Sequence, residues 1–218
     1  MSANNQALRS YDLSDQWIGH VDIALKNIFL RHETQRDYPA KDVDEGVLSE
    51  QHKQQSAALM RVNHAGEMAA QALYQGQSMM ARDDSIACKL QAASMEESDH
   101  LNWCRSRLDE LGEPTSKLDP FWYAGSFVMG VTAGAVGDRW NLGFLAETEH
   151  QVVRHLESHL QTLPEQDARS RAIVTQMCED EQGHADLAEH LGAAELPKPI
   201  QGLMKLTSKV MTTLAKRF

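Results

Sequence analysis

From residue 84 to residue 191 the apolar positions recur at alternating spacings of three and four, which is the pattern of a helix face packed inside a bundle. Leu90, Ser94, Glu97, Leu101, Cys104, Leu108 and Leu111 share one such stripe. Leu142, Leu145, Glu149, Val152, Leu156, Leu160 and Leu163 form a second, and Val174, Met177, Glu181, His184, Ala188 and Leu191 a third. An earlier stripe of mostly small residues runs through Leu59, Val62, Gly66, Ala69, Leu73, Gly76 and Met80. Prolines and glycines fall where these patterns stop, predicting helices over about 50–82, 85–112, 138–163, 166–191 and 199–216. An apolar segment fills the interval 120–137, and a first helix is expected from about Leu13 to Arg31. Residues 1–13 read as weakly ordered, and the polar stretch 33–50, with Pro39, as a linker. No segment sustains period-two alternation, so no sheet is expected. The predicted class is all-α: a four-helix bundle domain over 50–218 with additional crossover and C-terminal amphipathic helices, preceded by an extension over 1–49 that carries one helix.

The stripes matter for what interrupts them. Glu97, Glu149 and Glu181 sit in core register, whereas their acidic neighbours Glu96, Glu147, Glu179 and Asp180 do not. Glu67 borders its stripe and shares a face with His64, Gln71 and Tyr74. Ionised carboxylates in an apolar core are costly unless their charge is compensated. Four of them at one level require cations, and two divalent ions would balance them. Spacing points the same way. Glu97–His100 and Glu181–His184 are both Glu-x-x-His, which sets carboxylate and imidazole one turn apart on one helix face. Each follows a helix with a single glutamate, Glu67 or Glu149. One Glu from each of two helices and Glu-x-x-His from the other two is the ligand set of ferritin-like di-metal bundles. A lone Glu-x-x-His is a weak signal, since Glu and His are common on solvated helix faces; two copies in core register are not. Carboxylate-rich donors without thiolate favour iron or manganese over zinc.

Charge and composition narrow the partners. The 218-residue chain has a net charge of −10, which argues against nucleic acid as a partner. The balance is uneven: Lys198, Lys205, Lys209, Lys216 and Arg217 lie in a C-terminal segment without an acidic residue. Three cysteines without a Cys-x-x-Cys spacing fit a reduced protein better than a disulfide framework, and the N-terminal residues read as neither signal peptide nor span. There is no Gly-x-Gly-x-x-Gly signature of a dinucleotide domain.

At Arg61-Val-Asn-His-Ala-Gly-Glu67, followed by Ala-Leu-Tyr74-Gln-Gly-Gln, the chain resembles the demethoxyubiquinone hydroxylases of ubiquinone biosynthesis. The resemblance continues through Glu97-Ser-Asp-His100, Glu149 with His155, and Glu181-Gln-Gly-His184, and covers roughly residues 50–218. It implies a membrane-associated di-iron monooxygenase that inserts one oxygen atom from O₂ into a polyprenyl methoxy-benzoquinol ring. It also implies that Glu67, Glu97, His100, Glu149, Glu181 and His184 are the iron ligands. Two departures stand out: Asn63 replaces an Asp found in many members, and Leu156 follows His155 where some carry Tyr, so no tyrosine-based electron path is expected there.

Electrons would come from a partner reductase, from NADH bound at an unrecognised site, or from the quinol itself. His155, six residues after Glu149, is a candidate relay at the rim, with an ordinary half-exposed helix histidine as the alternative. Tyr74, two turns after Glu67, is a candidate hydrogen-bond partner near the metals, against plain packing. Segment 120–137 has no charge over eighteen residues and begins with Phe121-Trp122-Tyr123. A hairpin-like or interfacial dip is expected rather than a true span, with a buried crossover helix as the alternative. The last helix, with Leu203, Met204, Lys205 and Lys209, suits an anionic bilayer surface, or else caps the bundle. Together these two segments would form the substrate entrance of a peripheral protein on the cytoplasmic side of the cell's inner membrane. Other proteins of ubiquinone biosynthesis and further copies of the chain are candidate partners. Two competing readings share the sequence features: a ferritin- or rubrerythrin-like iron-storing or peroxide-scavenging protein, and a non-catalytic lipid-binding helical scaffold.

Overall fold

The computed structural model describes residues 13–30 and 34–218, without the side chains of residues 13–17 and 20. The expected weak order of residues 1–12 and the extension of the first helix to Arg31 lie outside these residues. Among the described residues there are seven helices and no strand. They are α1 (Leu13–Phe29), α2 (Glu50–Met80), α3 (Asp84–Leu111), α4 (Asp119–Val136), α5 (Asp138–Thr162), α6 (Ala168–His190) and α7 (Lys198–Ala215). The all-α expectation holds.

Local chemistry sets the boundaries. Ser49, Asp83 and Asp167 cap α2, α3 and α6, each side chain accepting a backbone N–H of the first turn, at 3.2, 2.8 and 2.9 Å. Gly137, at φ 120, turns α4 directly into α5, a conformation that L side chains rarely adopt. The carboxylate of Asp138 then accepts the backbone N–H groups of Arg82 and Asp83 at 3.0 and 3.1 Å, tying this corner to the α2–α3 turn.

Two helix hairpins, α2–α3 and α5–α6, form the bundle, with α3 facing α6 and α2 facing α5. Two apolar clusters fill it. One contains Met60, Trp103, Leu108, Leu156, Ile173 and Met177; the other contains Tyr74, Leu90, Leu142, Leu145 and Ala188. Glu67, Glu97, His100, Glu149, Glu181 and His184 fall between these clusters along the four helices.

Helix α4 packs across α2 and α5. Its seam with α2 is made by glycines. A Cβ at Gly130 would collide with the Leu73 carbonyl oxygen, and one at Gly76 with the Phe127 carbonyl oxygen. At Gly134 it would meet Met80 Cβ at 2.6 Å. Of the two forms of dip expected, the hairpin-like one is therefore corrected. The segment is one uninterrupted helix, because its glycines serve close backbone packing rather than a turn. No described helix is long and apolar enough to cross a membrane. Helix α7 lies on α2 and α5, and α1 on α2 and α4.

The polar stretch before α2 is not a free linker. Ala40 is fully buried, with Tyr38 and Val43 packed against the same cluster as Met60 and Trp103. Arg107, itself buried, reaches out to this stretch by donating to Glu45 at 2.6 and 2.9 Å, and also to Asp167 and Ser170 at 2.8 Å each. A buried guanidinium persists only when paired in this way.

The glycine seam makes a prediction. Gly130→Ala should lower the melting temperature by several degrees, since overpacking against backbone costs about 1–3 kcal/mol. Gly202→Ala, in open space on α7, should leave it unchanged or slightly raised. Equal thermal unfolding of the two variants would contradict a close-packed seam.

Candidate metal centre

Midway along the bundle, Glu67 (α2), Glu97 and His100 (α3) and Glu181 (α6) bring one donor atom each to within 4.8 Å of one another. His100 turns Nδ1 inward, 3.6 Å from Glu67, 3.3 Å from Glu97 and 3.2 Å from Glu181. His184 does the same from α6, its Nδ1 lying 3.1 Å from both Glu97 and Glu181. Glu149 (α5) is buried beside them and accepts the Tyr74 hydroxyl at 2.8 Å. Tyr74 also meets the His184 ring edge-on, with centroids 6.2 Å apart. Every one of the six ionisable residues is at most 6% exposed. Tyr74 thus hydrogen-bonds within the cluster, beyond simple packing.

The electrostatics follow from this crowding. Burial pushes the Glu67 carboxyl well above its ordinary range, and Glu97 and Glu181 add repulsion. Burial likewise raises Glu149, helped by Glu181 and Glu97. For Glu97 burial is outweighed by the imidazoles of His100 and His184, 3.3 and 3.1 Å away, which hold the carboxyl well below the usual range. Burial would lower both imidazoles, but the surrounding carboxylates raise them instead. Burial and mutual repulsion thus work against bare carboxylates at Glu67 and Glu149, and added positive charge relieves both.

Does the donor set fit divalent metal? Both Glu97 oxygens and His100 Nδ1 are buried without a hydrogen bond of good geometry among the described residues. Such atoms are costly to leave unsatisfied, and an ion would satisfy them. The donors are carboxylate oxygen and imidazole nitrogen; the nearby Cys104 is pushed well up by burial and stays a thiol. The set fits.

Two residues that the stripe pattern passed over complete the surroundings. Asp180 Oδ2 lies 2.9 Å from His100 Nε2, and Glu96 Oε2 lies 3.0 Å from His184 Nε2. Both are turned off their own helix's core stripe, but each faces the opposite hairpin's imidazole across the α3–α6 seam. His100 and Arg36 hold Asp180 down at about 2 against the effect of burial. His184 similarly lowers Glu96. A signal was present: each directly precedes the glutamate of a Glu-x-x-His.

A cavity of about 350 Å³ opens beside the cluster between α2, α4, α5 and α7. Its walls are mainly apolar, including Leu73, Met129, Phe144 and Met211, and Glu67 contributes to them. His155 lines this cavity and stacks on His159 at 4.0 Å rather than joining the cluster. Among the proposed entrance residues, Trp122 and Met204 line the cavity, as does Phe121, which is 71% exposed. Leu203, Lys205 and Lys209 are exposed on α7. Tyr123 is a correction. It is buried against Met68, Ala72 and Leu101, and its hydroxyl donates to Gln75 and accepts from Asn27, because it lies on the inner face of α4.

Fold and site together define a ferritin-like helical bundle with a buried carboxylate–imidazole cluster able to hold metal. The chain belongs to the family described as ubiquinone biosynthesis protein COQ7, whose sequence model matches residues 54–215. It is 53% identical over 197 residues to the 3-demethoxyubiquinol 3-hydroxylase of Laribacter hongkongensis, covering 90% of this chain and 96% of that one. The protein of the same name from Nitrosococcus oceani is 54% identical over 202 residues, covering 92% and 94% of the two chains. That of Polynucleobacter asymbioticus is 51% identical over 206 residues, covering 94% and 99%.

The His155–His159 stack gives a pH prediction. Burial, then His155 and Lys216, hold His159 down at about 3, and burial lowers His155 too. The depressed folded value means that the contribution is fully present above the unfolded value, about 6.5, and is lost as pH falls from there toward 3. The denaturant midpoint of the parent protein should therefore fall more steeply between neutral and mildly acidic pH than that of His159→Phe. Parallel pH profiles would count against a neutral buried His159.

Proposed function

We propose that the chain is a 3-demethoxyubiquinol 3-hydroxylase, a di-iron monooxygenase acting with O₂ on a polyprenyl methoxy-benzoquinol. The observation that carries this reading is the buried cluster at the wall of an apolar cavity, both sharing Glu67. Relatives of that name match nearly the whole chain. The iron ligands are Glu67, Glu97, His100, Glu149, Glu181 and His184; the bound pair, reduced from outside by NADH, a reductase or the quinol, supplies the reduction of O₂.

The rest is the work of this chain's side chains. Asp180 and Glu96 fix the imidazole rings of His100 and His184 by binding the outer nitrogen, which leaves Nδ1 free to serve as donor. The Tyr74 hydroxyl donates to Glu149 Oε1 and restricts that carboxylate's rotation. The apolar clusters on either side keep water from the centre. The cavity takes the quinol ring and leads its prenyl tail outward past Trp122 and Met204. His155, on the cavity wall, is placed to exchange a proton with a bound ring rather than with the metals.

A substrate with such a tail stays in a membrane, and the outer surface suits one. Helix α7 turns Met204 and Met211 inward to the cavity, yet Leu203, Leu206 and Val210 are exposed on its other side, among lysines. Helix α4 exposes Phe121, Val128 and Val136. Apolar side chains on the outward face, flanked by positive charge, favour an anionic bilayer, which would make the protein peripheral on the cytoplasmic leaflet. An iron-storage protein has no use for such a cavity or such a face.

Two measurements test the reading. Cells lacking the gene should accumulate the demethoxy quinone and recover on complementation; an unchanged quinone profile would rule the hydroxylase out. Glu181→Ala should lose bound iron and activity by more than the roughly 10–100-fold that outer partners carry. Glu179→Ala, exposed on the same helix, should retain both. Equal losses would remove Glu181 from the ligand set.

A further inference from the structure

The segment before α2 contacts one residue within the first Glu-x-x-His sequence and one directly before the second. The Gln35 backbone N–H donates to Asp99 Oδ1 at 2.8 Å, and Asp99 lies in the chain between Glu97 and His100. Arg36 grips Asp180 with both terminal nitrogens, Nη1 donating to Oδ2 at 2.6 Å and Nη2 to Oδ1 at 3.2 Å. Oδ2 is the same oxygen that meets His100 Nε2. The guanidinium also lies over the Trp103 ring, 5.1 Å from its centroid, and Trp103 stands 5.2 Å from the His100 ring. Arg36 thus touches two of the neighbours that confine one imidazole.

The charge environment fits this placement. The acidic residues acting on the guanidinium are Asp180, Glu96 and Asp99, each within or directly before a Glu-x-x-His sequence and none of them in core register. Besides His100, Asp180 is held by Gln176 Nε2, which donates to Oδ1 at 3.1 Å, a single neutral bond from its own helix that still lets the carboxylate tilt. A two-pronged arginine fork fixes both oxygens and so the plane of the carboxylate, which Lys as a point charge does not. Arg36 stands outside the stretch matched by the family model, which begins at residue 54.

We propose that Arg36 is a positioning residue of the metal centre, holding the His100 ring in its donor orientation through Asp180 and Trp103. This rests on the reading of His100 as a metal ligand. It gives the N-terminal segment a role in metal binding, not only in covering the bundle.

The test is anaerobic Co²⁺ titration of the full chain against a competing chelator, with the visible Co²⁺ absorption recorded and the melting temperature of the metal-free protein measured alongside. Arg36→Ala should weaken binding about tenfold or more and alter the absorption. Arg36→Lys, keeping the charge without the fork, should lie between it and the parent. Arg36→Ala combined with Asp180→Asn should bind no more weakly than Asp180→Asn alone, since the arginine acts through that carboxylate. Unchanged affinity and spectrum in Arg36→Ala, with only a lower metal-free melting temperature, would overturn the proposal by making the contact purely structural. Additive losses in the double variant would overturn it as well. Should the parent protein itself bind no Co²⁺ pair, the metal-centre reading falls first and this inference with it.

Discussion

Four carboxylates packed into one dry interior repel one another, and no arrangement of apolar side chains relieves that. The structure meets the difficulty in layers. Imidazoles from α3 and α6 are set among the glutamates, and a tyrosine hydroxyl binds the one glutamate on α5. Outside them stand Asp180 and Glu96, facing the imidazoles' other nitrogens, and beyond these the cation of Arg36. Charge alternates outward from the centre. The apolar clusters above and below this level stop water from screening the charges, so each layer depends on the next.

The cavity has an equally simple origin in the residues of α2 and α4. Where Gly76, Gly130 and Gly134 stand, the two backbones touch and no side chain could fit. At Gly66 and Gly125 the helices have parted, and a Cβ at either would meet nothing within 4 Å. Both of these glycines line the cavity. The same residue type thus closes one end of the interface and widens the other, and α7 lies over the wide end.

Much of this was legible in the order of residues. Periodicity places all the bundle helices to within two or three residues, because caps and breakers such as Ser49, Asp83, Gly112 and Gly137 act locally. The core-register glutamates stand out for the same reason. What depends on a partner helix did not: a stripe says which way a side chain leaves its own axis, not what stands opposite. Glu96 and Asp180 were passed over on that ground, although both meet imidazoles. Tyr123 was read with its exposed neighbour Phe121, yet lies on the inner face of α4. The stretch 33–50 reads as a linker because its anchors, Ala40, Arg36 and Glu45, are scattered singly among polar residues, and the two charged ones find their partners 144 and 62 residues away.

The crossing of outer partners has a thermodynamic consequence for how the molecule holds together. Asp180 of the second hairpin serves the imidazole of the first, and Glu96 of the first serves that of the second. Neither hairpin therefore owns a finished binding site. An ion held by the cluster binds only the docked pair, so by mass action it favours docking, while loosening of the α3–α6 seam releases the ion. Metal supply and the cohesion of the bundle are in this sense one equilibrium. Scarcity of the metal would act first on the joint between the two halves, before either half came apart.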